Sequence, residues 1–408
     1  MNRVLELELT GIAHGGDALG RHEGQAIFVP YGIPDEKISV EIIEDRGRWA
    51  RARLVEVLRP SPYRVIPPCP YFGQCGGCQW QHMDYKAQLV YKRVIVSEQL
   101  HHLGGLQDSL VEPTLASPDI WRYRNHAQFA PSLDGGLGFR SPHSRQVVPI
   151  TDCLLLHPLL SDLFSALDLA LPTLERLALR AGVRSGETML IFETMDDEPP
   201  EIEVDIPVSC VLLLKDGTPV NLVGRNHFTE LLGHRRFRVS APSFFQVNTA
   251  QAEQLVETVA ALLQLSKDET LLDVYCGVGT FALSLAEQAY KVIGVEGNPY
   301  AIEDAVLNAE GVSNVEFIKG QAEVVLPALD LAVNAAVLDP PRQGCHPQAL
   351  QSLMDLAPAR IVYVSCDPAT LARDARRLIA GGYRLVKVQP VDMFPQTYHI
   401  ETVSLWSR

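Results

Sequence analysis

The sequence predicts a chain of three parts: a small N-terminal β-barrel, a central α+β region and a C-terminal α/β domain with a parallel, doubly wound sheet. Its 408 residues exceed what one hydrophobic core usually covers. The first 59 residues hold several short strand-like runs without a helical period, which is typical of a small barrel. From residue 241 onwards, apolar strands alternate with helices, as in a parallel sheet. We place the three parts at residues 1–59, 60–240 and 241–408.

The composition predicts a folded, soluble protein. Apolar residues make up 47% of the chain, and its mean hydropathy lies near zero. The first residues lack the basic-then-apolar profile of a signal peptide, and no apolar run approaches membrane-spanning length. We therefore expect a cytoplasmic location without membrane contact. The net charge of −14 argues against a simple basic nucleic-acid binder, so a polyanion would have to meet local patches.

In the N-terminal part, strand-like runs follow one another between glycine-rich turns. The runs lie at residues 4–9, 26–29, 37–43 and 51–58. Four arginines surround Trp49, and cations mixed with an aromatic ring are typical of surfaces that bind RNA backbone and stack on bases. These arginines are Arg46, Arg48, Arg51 and Arg53. The alternative is a solvated hairpin with one exposed tryptophan.

Three of the eight cysteines fall within ten residues, directly after a proline-rich linker. They are Cys69, Cys75 and Cys78. Clustered cysteines in a reducing compartment more often bind metal or do chemistry than form disulfides. The glycines and proline between them leave a backbone that can wrap a soft metal or an iron–sulfur cluster, with buried free thiols as the alternative. Candidates for a fourth ligand are Cys153, Cys210 and His82, and we favour Cys153 because structural clusters are usually closed by a thiolate.

The central region mixes helical and strand patterns. Apolar residues at helical spacing, with Lys86, Lys92 and Arg93 between them, predict an amphipathic helix at residues 85–103 that could pack on the C-terminal domain. Residues 121–126 are typical of a strand with a basic, aromatic face, which would offer RNA a second patch. We further predict a helix at residues 161–180 and strands at residues 188–193 and 210–215.

The C-terminal part alternates helices and strands without an internal repeat. Helices are predicted at residues 249–264, 279–289, 299–310, 346–356 and 369–380. Strands are predicted at residues 270–275, 291–295, 314–318, 335–338, 360–365, 383–390 and 400–406. Because ligands of such sheets bind at the carboxyl ends of the strands, we expect one active-site crevice there.

A glycine-rich turn follows the first strand of this sheet. Gly277 and Gly279 would let the backbone approach a ligand and open a helix behind it. Glu296 stands at the end of the next strand, where a carboxylate can bind both hydroxyls of a ribose, with helix capping as the alternative. Leu283 replaces the third glycine of a dinucleotide fingerprint. The pattern therefore favours a nucleoside without a pyrophosphate, such as S-adenosylmethionine.

Asp339 follows another apolar strand, and two prolines hold it rigidly in the same crevice. The alternative is an ordinary proline-bounded turn. In methyltransferases that act on amino groups, a comparable turn ends in an aromatic residue that stacks on the base. Arg342 occupies that position here, which argues against methylation of an exocyclic nitrogen.

Cys366 and Glu401 suggest methylation of a carbon atom. The C5 atom of uracil is too weak a nucleophile to attack a sulfonium methyl group, but a thiolate that adds across C5=C6 turns it into an enolate carbon. Removal of the C5 proton then needs a base, for which Glu401 is the candidate. The alternatives are a small buried cysteine and an edge-strand glutamate. Cys276 and Cys345 are rival nucleophiles, although Cys276 lies inside the cofactor loop.

Four ordered motifs resemble the RNA uracil-5 methyltransferase family, and the similarity covers nearly the whole chain. The motifs are SFFQVN at 243–248, DPPRQG at 339–344, SCDPATLARD at 365–374 and MFPQTYHIE at 393–401. The resemblance implies an OB-like TRAM barrel at the N-terminus, a [4Fe–4S] cluster in the central α+β domain and a Rossmann-like class I methyltransferase domain. It also implies Cys366 as the nucleophile and Glu401 as the base.

The same resemblance implies two sets of ligand residues. The cluster would be held by Cys69, Cys75, Cys78 and Cys153. S-adenosylmethionine would be bound by Gln246, Tyr275, Gly277, Gly279, Thr280, Glu296, Gln321 and Asp339. Two positions depart from the family pattern, because Gln321 stands where Asp or Asn is frequent and Thr280 where Asn is common.

The resemblance also bears on the RNA substrate. Family members with both a TRAM barrel and a cluster resemble the 23S rRNA enzymes more than the bacterial tRNA enzyme, although some archaeal tRNA enzymes break this rule. We therefore expect a monomer that acts on 23S rRNA, with the T-loop uridine of tRNA as the second candidate. A non-catalytic iron–sulfur RNA-binding protein is the alternative from another class, but it would be expected to have lost the Cys366 and Glu401 motifs.

Overall fold

The structure is a computed structural model that describes residues 4–106, 111–133, 135–169 and 171–408. A closed five-stranded barrel and two seven-stranded sheets contain most of its strands, and a two-stranded hairpin lies between the two sheets in the chain. Within these ranges, no helix is both long and apolar enough to cross a bilayer.

The N-terminal strands close into the predicted barrel. They are β1 (Val4–Ile12), β2 (Ala18–His22), β3 (Gln25–Val29), β4 (Lys37–Asp45) and β5 (Trp49–Arg59), in the order β1-β2-β3-β5-β4. Alternate side chains, among them Leu7, Leu9 and Ile27, fill the interior. The sequence pattern missed β2, which contains Gly20. A Cβ at this position would lie 2.7 Å from the carbonyl oxygen of Glu8, so the close approach of the two strands requires glycine. Residues 1–3 of the predicted barrel lie outside the described residues.

The arginines around Trp49 are largely engaged with acidic side chains of the barrel. Arg46 pairs with Glu44 at 2.8 Å, Arg51 with Asp17 at 3.4 Å, and Arg53 with Glu41. Trp49 packs edge-on against Phe28, with 6.1 Å between the ring centroids. The patch therefore carries less free positive charge than its sequence suggests, and its role in RNA binding stays a prediction.

The central region begins with helix α1 (Tyr85–His102), which confirms the helix predicted at 85–103, and continues as a sheet. The sheet strands are β6 (His126–Pro131), β7 (Leu137–Arg140), β8 (Val147–Pro149), β9 (Leu174–Ala181), β10 (Thr188–Thr194), β11 (Ser209–Leu213) and β12 (Pro219–Val223), in the order β12-β11-β10-β9-β6-β7-β8. The remaining elements are helix α2 (Pro158–Ser165) and the hairpin of β13 (His227–Leu232) and β14 (Arg235–Ser240). The strands predicted at 188–193 and 210–215 are confirmed.

The helix predicted at residues 161–180 is wrong beyond Ser165. The chain passes Pro172, which lacks the amide hydrogen that a helix needs, and then enters β9. Leu177 and Leu179 of β9 are fully buried, and β9 pairs with both β6 and β10. Pairing with two neighbouring strands thus overrides the helix-forming composition of the segment. Residue 170 lies outside the described residues.

The strand predicted at residues 121–126 is also wrong, because regular pairing starts only at His126. Arg122 forms an ion pair with Asp152 at 2.8 Å. Tyr123 is only 4% exposed, and its hydroxyl donates a hydrogen bond to the carbonyl oxygen of Pro395 at 3.1 Å. The basic and aromatic side chains of this segment therefore do not share one exposed face.

The C-terminal domain contains a second seven-stranded sheet with helices on both faces. Its strands are β15 (Thr270–Val274), β16 (Lys291–Glu296), β17 (Val315–Lys319), β18 (Ala335–Leu338), β19 (Arg360–Ser365), β20 (Arg384–Val391) and β21 (Glu401–Ser407). Its α-helices are α3 (Thr249–Leu263), α4 (Thr280–Leu285), α5 (Pro299–Asn308), α6 (Ala322–Val325), α7 (Pro347–Leu356) and α8 (Pro368–Ala380). Short 3₁₀ turns lie at Ala286–Gln288 and Leu326–Ala328. The predicted alternation is confirmed, and α6 is additional.

The sheet is mixed rather than fully parallel. The strand order is β17-β16-β15-β18-β19-β21-β20, and β21 runs antiparallel to both of its neighbours. Ser365 at the end of β19 is paired with Thr402 near the start of β21. Because β21 is reversed, its first residue, Glu401, lies beside the carboxyl end of β19, where Cys366 follows.

Helix α1 packs against α8 and β20 and extends the helical layer on one face of this sheet. Its buried face includes two polar residues, Gln88 and Lys92. The sequence pattern had placed Lys92 among the polar residues of the helix, but the side chain is fully buried. Its ammonium group donates to Asp392 Oδ1 at 2.5 Å and to the carbonyl oxygen of Phe394 at 3.1 Å. Burial lowers the pKa of Lys92, and the Asp392 carboxylate opposes this shift.

The buried ion pair should contribute strongly to stability. We expect Lys92→Met to lower the free energy of unfolding by roughly 3–5 kcal/mol, because Asp392 is fully buried and would lose its cation. Equilibrium urea unfolding followed by circular dichroism measures this change.

Lys37→Met is the matched control, because Lys37 pairs with Glu6 at 2.5 Å while both side chains remain well exposed. This variant should lose less than about 1 kcal/mol. Equal losses in the two variants would contradict a special role for the buried pair.

Candidate active site

Cys366, Glu401 and Asp339 meet at the carboxyl end of the parallel strands. Asp339 follows β18, Cys366 follows β19, and Glu401 opens β21. Glu401 is 3% exposed, and its Oε1 atom has no hydrogen-bond partner among the described residues. Burial, followed by the charges of Glu401 and Asp339, raises the pKa of the Cys366 thiol to about 12, while the charge of Arg342 acts in the opposite direction. The thiol is therefore protonated at neutral pH until a substrate or base changes its surroundings.

The two carboxyl groups of this crevice have a raised affinity for protons. Burial, followed by the charge of Glu296, raises the pKa of Asp339 to about 7. The pKa of Glu401 lies well above its usual range, first through burial and then through Asp339, while Arg342 acts in the opposite direction. A cationic ligand beside these groups would favour their ionised forms. The electrostatics therefore suit a positively charged group in the crevice.

The glycine-rich turn and Glu296 form the other end of the crevice. Glu296 Oε2 accepts a hydrogen bond from the Gly277 amide at 2.9 Å, and its Oε1 accepts from the Asn298 amide at 2.6 Å. The carboxylate is thus oriented by the backbone of two loops. Gly279 has a φ of 88°, and a Cβ there would lie 3.0 Å from side-chain atoms of Leu283, so the turn requires glycine.

The other residues predicted to bind the cofactor lie around the same turn. Thr280 begins α4, and the side chain of Gln321 lies against Gly297, directly after Glu296. Tyr275 has a left-handed backbone with a φ of 67°, and its hydroxyl accepts a hydrogen bond from the His346 amide at 3.4 Å. Gln246 is buried just before α3, next to Phe245, which packs in one cluster with Val278 and Leu283 of the turn.

The four predicted cysteine ligands line one pocket on the central region, together with Gln81 and Arg124. The cysteines are Cys69, Cys75, Cys78 and Cys153. Burial raises the pKa of Cys78 to about 12, and it is also the largest cause of the raised pKa values of Cys75 and Cys153. All four thiols are free of disulfides. The described part of the chain contains no group of three or more His, Cys, Asp or Glu side chains arranged to hold a metal ion.

The other two candidates for the fourth ligand lie elsewhere. Cys210 belongs to β11 and is fully buried in the core of the central sheet. The His82 ring packs against Tyr31 and Phe72, with centroid distances of 6.1 Å and 5.7 Å. Neither side chain lines the four-cysteine pocket.

The structure adds contacts that sequence reasoning missed. His14, on the loop between β1 and β2, lies 3.5 Å from Asp367 Oδ2, and a Cβ on Gly16 would lie 2.6 Å from Tyr398 Cβ. The barrel therefore contacts the two motifs that contain Cys366 and Glu401. No local sequence pattern indicates this contact. By contrast, the sequence did offer a sign of buried polar contacts in Gln88 and Lys92, which lie four residues apart on one face of an amphipathic helix.

Comparisons with known proteins agree with this arrangement. The family model of tRNA (uracil-5-)-methyltransferases matches residues 230–408, and that of the TRAM domain matches residues 2–55. A protein of Halalkalibacterium halodurans described as an uncharacterised RNA methyltransferase is 36% identical over 99% of this chain and 97% of its own length. A protein of Gloeobacter violaceus with the same description is 35% identical over 100% of this chain and 97% of its own.

A solved structure matches the whole architecture. It is the Pyrococcus abyssi tRNA (uracil-54, C5)-methyltransferase in complex with S-adenosyl-L-homocysteine, with a TM-score of 0.77 and 28% identity over 98% of this chain and all of that chain. The fold and the crevice define an enzyme of the α/β methyltransferase class. The chain belongs to the RNA uracil-5 methyltransferase family, so the predicted family, enzyme class and TRAM barrel are confirmed.

The charge of Arg342 should be measurable at the Cys366 thiol. Arg342 is exposed and lowers the pKa of Cys366. We expect Arg342→Gln to raise that pKa and to slow alkylation of Cys366 by iodoacetamide at pH 8 by about two- to tenfold, because one pKa unit changes the thiolate fraction tenfold. Peptide mass spectrometry reads the modification at this cysteine alone. Arg48→Gln on the barrel is the control, because Arg48 is not among the charges that shift the pKa of Cys366. Faster alkylation of the Arg342 variant would contradict the expected sign.

Proposed function

We propose that this protein methylates C5 of a uridine in RNA, with S-adenosylmethionine as the methyl donor. The observation that carries the proposal is the meeting of Cys366, Glu401 and Asp339 at adjacent strand ends, in a crevice that also contains the glycine turn and Glu296. A nucleophile and a base at this position suit a pyrimidine ring between them. Membership of the family supports the same reaction.

Cys366 acts first. Its thiol releases its proton to solvent, the resulting thiolate adds to C6 of the uracil, and the electron pair of C5=C6 moves to C5 and O4 as an enolate. S-adenosylmethionine, when bound, supplies an electrophilic methyl group on a sulfonium centre. The new C5–CH₃ bond forms as the bond between the sulfonium sulfur and the methyl group breaks, so the sulfur leaves as a neutral thioether.

Glu401 acts second. Its carboxylate takes the remaining proton from C5, the C–H electron pair restores C5=C6, and the Cys366 thiolate is expelled. A raised pKa makes this carboxylate a stronger base than an ordinary glutamate, and its Oε1 atom has no competing hydrogen-bond donor in the described residues. The burial of Glu401 also keeps water away from the proton transfer.

We propose that the donor occupies the crevice between the glycine turn and Asp339. Glu296 would bind the ribose hydroxyls, Gln321 would face the adenine, and Tyr275, Thr280 and Gln246 would border the remainder of the ligand. Gly277 and Gly279 would allow its close approach. The S-adenosyl-L-homocysteine bound to the Pyrococcus abyssi enzyme supports this ligand class, and the raised pKa of Asp339 supports a cation at that end.

We further propose that the four-cysteine pocket holds a [4Fe–4S] cluster. Four thiols line the pocket, and the carboxylate that also lines it, Asp152, is paired with Arg122, so the remaining donor set suits iron–sulfur chemistry. Arg124 lines the same pocket, and its Nε atom is buried without a hydrogen-bond partner among the described residues. A guanidinium beside four thiolates would offset part of their negative charge, which supports a cluster of this kind.

For the RNA substrate, we propose 23S rRNA, with the T-loop uridine of tRNA as the second candidate. The combination of a TRAM barrel with a cysteine pocket favours the first. The Pyrococcus abyssi enzyme favours the second, because it acts on uracil-54 of tRNA and shares nearly the full length of this chain.

The reaction predicts a covalent protein–RNA adduct. With S-adenosylmethionine and RNA that contains 5-fluorouridine, the methylated adduct has no C5 proton to lose, so it should survive denaturing gel electrophoresis. Cys366→Ala should abolish the adduct, whereas Cys345→Ala, which removes a buried cysteine of the same domain, should leave it intact. An adduct that persists in Cys366→Ala would refute the nucleophile. Adduct formation with a 23S rRNA transcript but not with a tRNA transcript supports the first substrate, and the reverse supports the second.

The cysteine pocket predicts bound iron and sulfide in near-equal amounts. Protein purified without oxygen should be brown, and Cys153→Ser should lose the colour and most of the iron because one thiolate is missing. Cys210→Ser is the control, since Cys210 lies outside the pocket and should keep the iron. Stoichiometric zinc without sulfide would contradict the proposed cluster.

A further inference from the structure

The segment before Glu401, residues 392–400, has no regular helix or strand, yet its backbone is held by the surrounding protein. Five successive carbonyl oxygens, from Asp392 to Gln396, each accept a hydrogen bond from outside the segment. The donors are Gln251 Nε2 (2.8 Å), Asn248 Nδ2 (3.5 Å), Lys92 Nζ (3.1 Å), Tyr123 Oη (3.1 Å) and, on Gln396, the amides of Gln79 (3.1 Å) and Trp80 (3.0 Å). We call this stretch the catalytic segment.

Gln396 is the most constrained residue of the catalytic segment. Its φ is 69°, a left-handed backbone conformation that residues other than glycine rarely adopt, and the residue is only 3% exposed. Gln88 on α1 holds it twice, accepting from the Gln396 amide at 3.0 Å and donating to the Gln396 Oε1 atom at 3.0 Å. Such a conformation persists only where surrounding contacts over-determine it, and it is frequent at functional sites.

The support of Gln396 comes from elements outside the C-terminal domain. Gln88 is itself fixed, because its Nε2 atom also donates to the carbonyl oxygens of Trp80 and Met83 at 3.1 Å and 2.9 Å. Gln79 and Trp80 directly follow Cys78 of the four-cysteine pocket. The cysteine loop and α1 therefore converge on one residue of the catalytic segment.

A short, rigid path leads from Gln396 to Glu401. The Thr397 hydroxyl donates to the carbonyl oxygen of Phe394 at 2.8 Å, and the His399 amide donates to the Thr397 hydroxyl at 3.2 Å. Glu401 follows two residues later as the first residue of β21. Since the Oε1 atom of Glu401 has no hydrogen-bond partner among the described residues, the backbone leading to this residue helps to set the position of its carboxylate.

The position of Cys366 depends on a separate set of hydrogen bonds. Asp367, its neighbour, caps α8 by accepting hydrogen bonds from the amides of Ala369 and Thr370 at 2.8 Å and 2.9 Å. None of these contacts involves the catalytic segment. A disturbance at Gln396 should therefore move the base while the nucleophile stays in place.

We propose that Gln396 is a positioning residue for Glu401, fixed by Gln88 and by the loop that follows Cys78. The proposal rests on the proposed function, in which Glu401 removes the C5 proton. Gln396 serves the proton-removal step, after the methyl group has reached C5 and before the bond between Cys366 and C6 breaks. Misplacement of the carboxylate slows that step alone.

The test separates the two halves of the reaction. Gln396→Met removes the hydrogen bond between the two side chains, and Gln88→Met removes this bond together with the one from the Gln396 amide, both at nearly constant volume. With 5-fluorouridine RNA, both variants should form the Cys366 adduct at the wild-type rate, because no proton is removed. With ordinary RNA, turnover should fall by about ten- to hundredfold, and methylated adduct should accumulate on denaturing gels. The double variant should be no slower than the slower single variant, since the two residues act together.

Gln389→Met is the matched control. Gln389 is another buried glutamine, in β20, and its side chain donates to the carbonyl oxygens of Pro113 at 2.7 Å and Pro390 at 3.1 Å, neither of which belongs to the catalytic segment. It should turn over RNA at the wild-type rate without accumulating adduct. Unchanged turnover in both test variants, or an equal loss of adduct formation and turnover, would overturn the role of Gln396. Failure of the wild-type protein to form any adduct would instead overturn the proposed function itself.

Discussion

The active-site crevice depends on the antiparallel placement of β21 between β19 and β20. A parallel strand at this position would put its first residue at the opposite edge of the sheet from Cys366. Reversal brings Glu401 beside the end of β19, so that the proposed nucleophile and base come from adjacent strands. The connection between the paired antiparallel strands β20 and β21, residues 392–400, lies at the same edge of the sheet and is irregular, so its backbone carbonyl groups need partners from outside the segment.

That requirement explains why the three parts of the protein are interlocked. Lys92 from α1, Tyr123 from the central region and the amides after Cys78 donate to the carbonyl groups of the catalytic segment. The barrel reaches the same crevice through His14. Polar residues that are buried in their own elements thus form hydrogen bonds with the catalytic segment, which is far away in the chain. The proposed position of Glu401 and the stability of the fold therefore depend on the same hydrogen bonds.

Much of this arrangement could be predicted from local pattern. Periodicity and motifs at strand ends predict most barrel strands, most helices and strands of the C-terminal domain, and the crevice residues Asp339 and Cys366. The failures have physical causes. Residues 174–181 form a strand because two partners bury Leu177 and Leu179, and residues 121–126 turn inward because Tyr123 has a partner at Pro395.

By itself, the sequence determined the fold classes, the family, the candidate nucleophile and base, and the four cysteines, because each depends on residue type and local spacing. Only the tertiary structure decided the direction of β21, the burial of Lys92 and the pairing of the barrel arginines with acids. These features are contacts between residues far apart in the chain, and local propensity carries no information about which distant groups will meet.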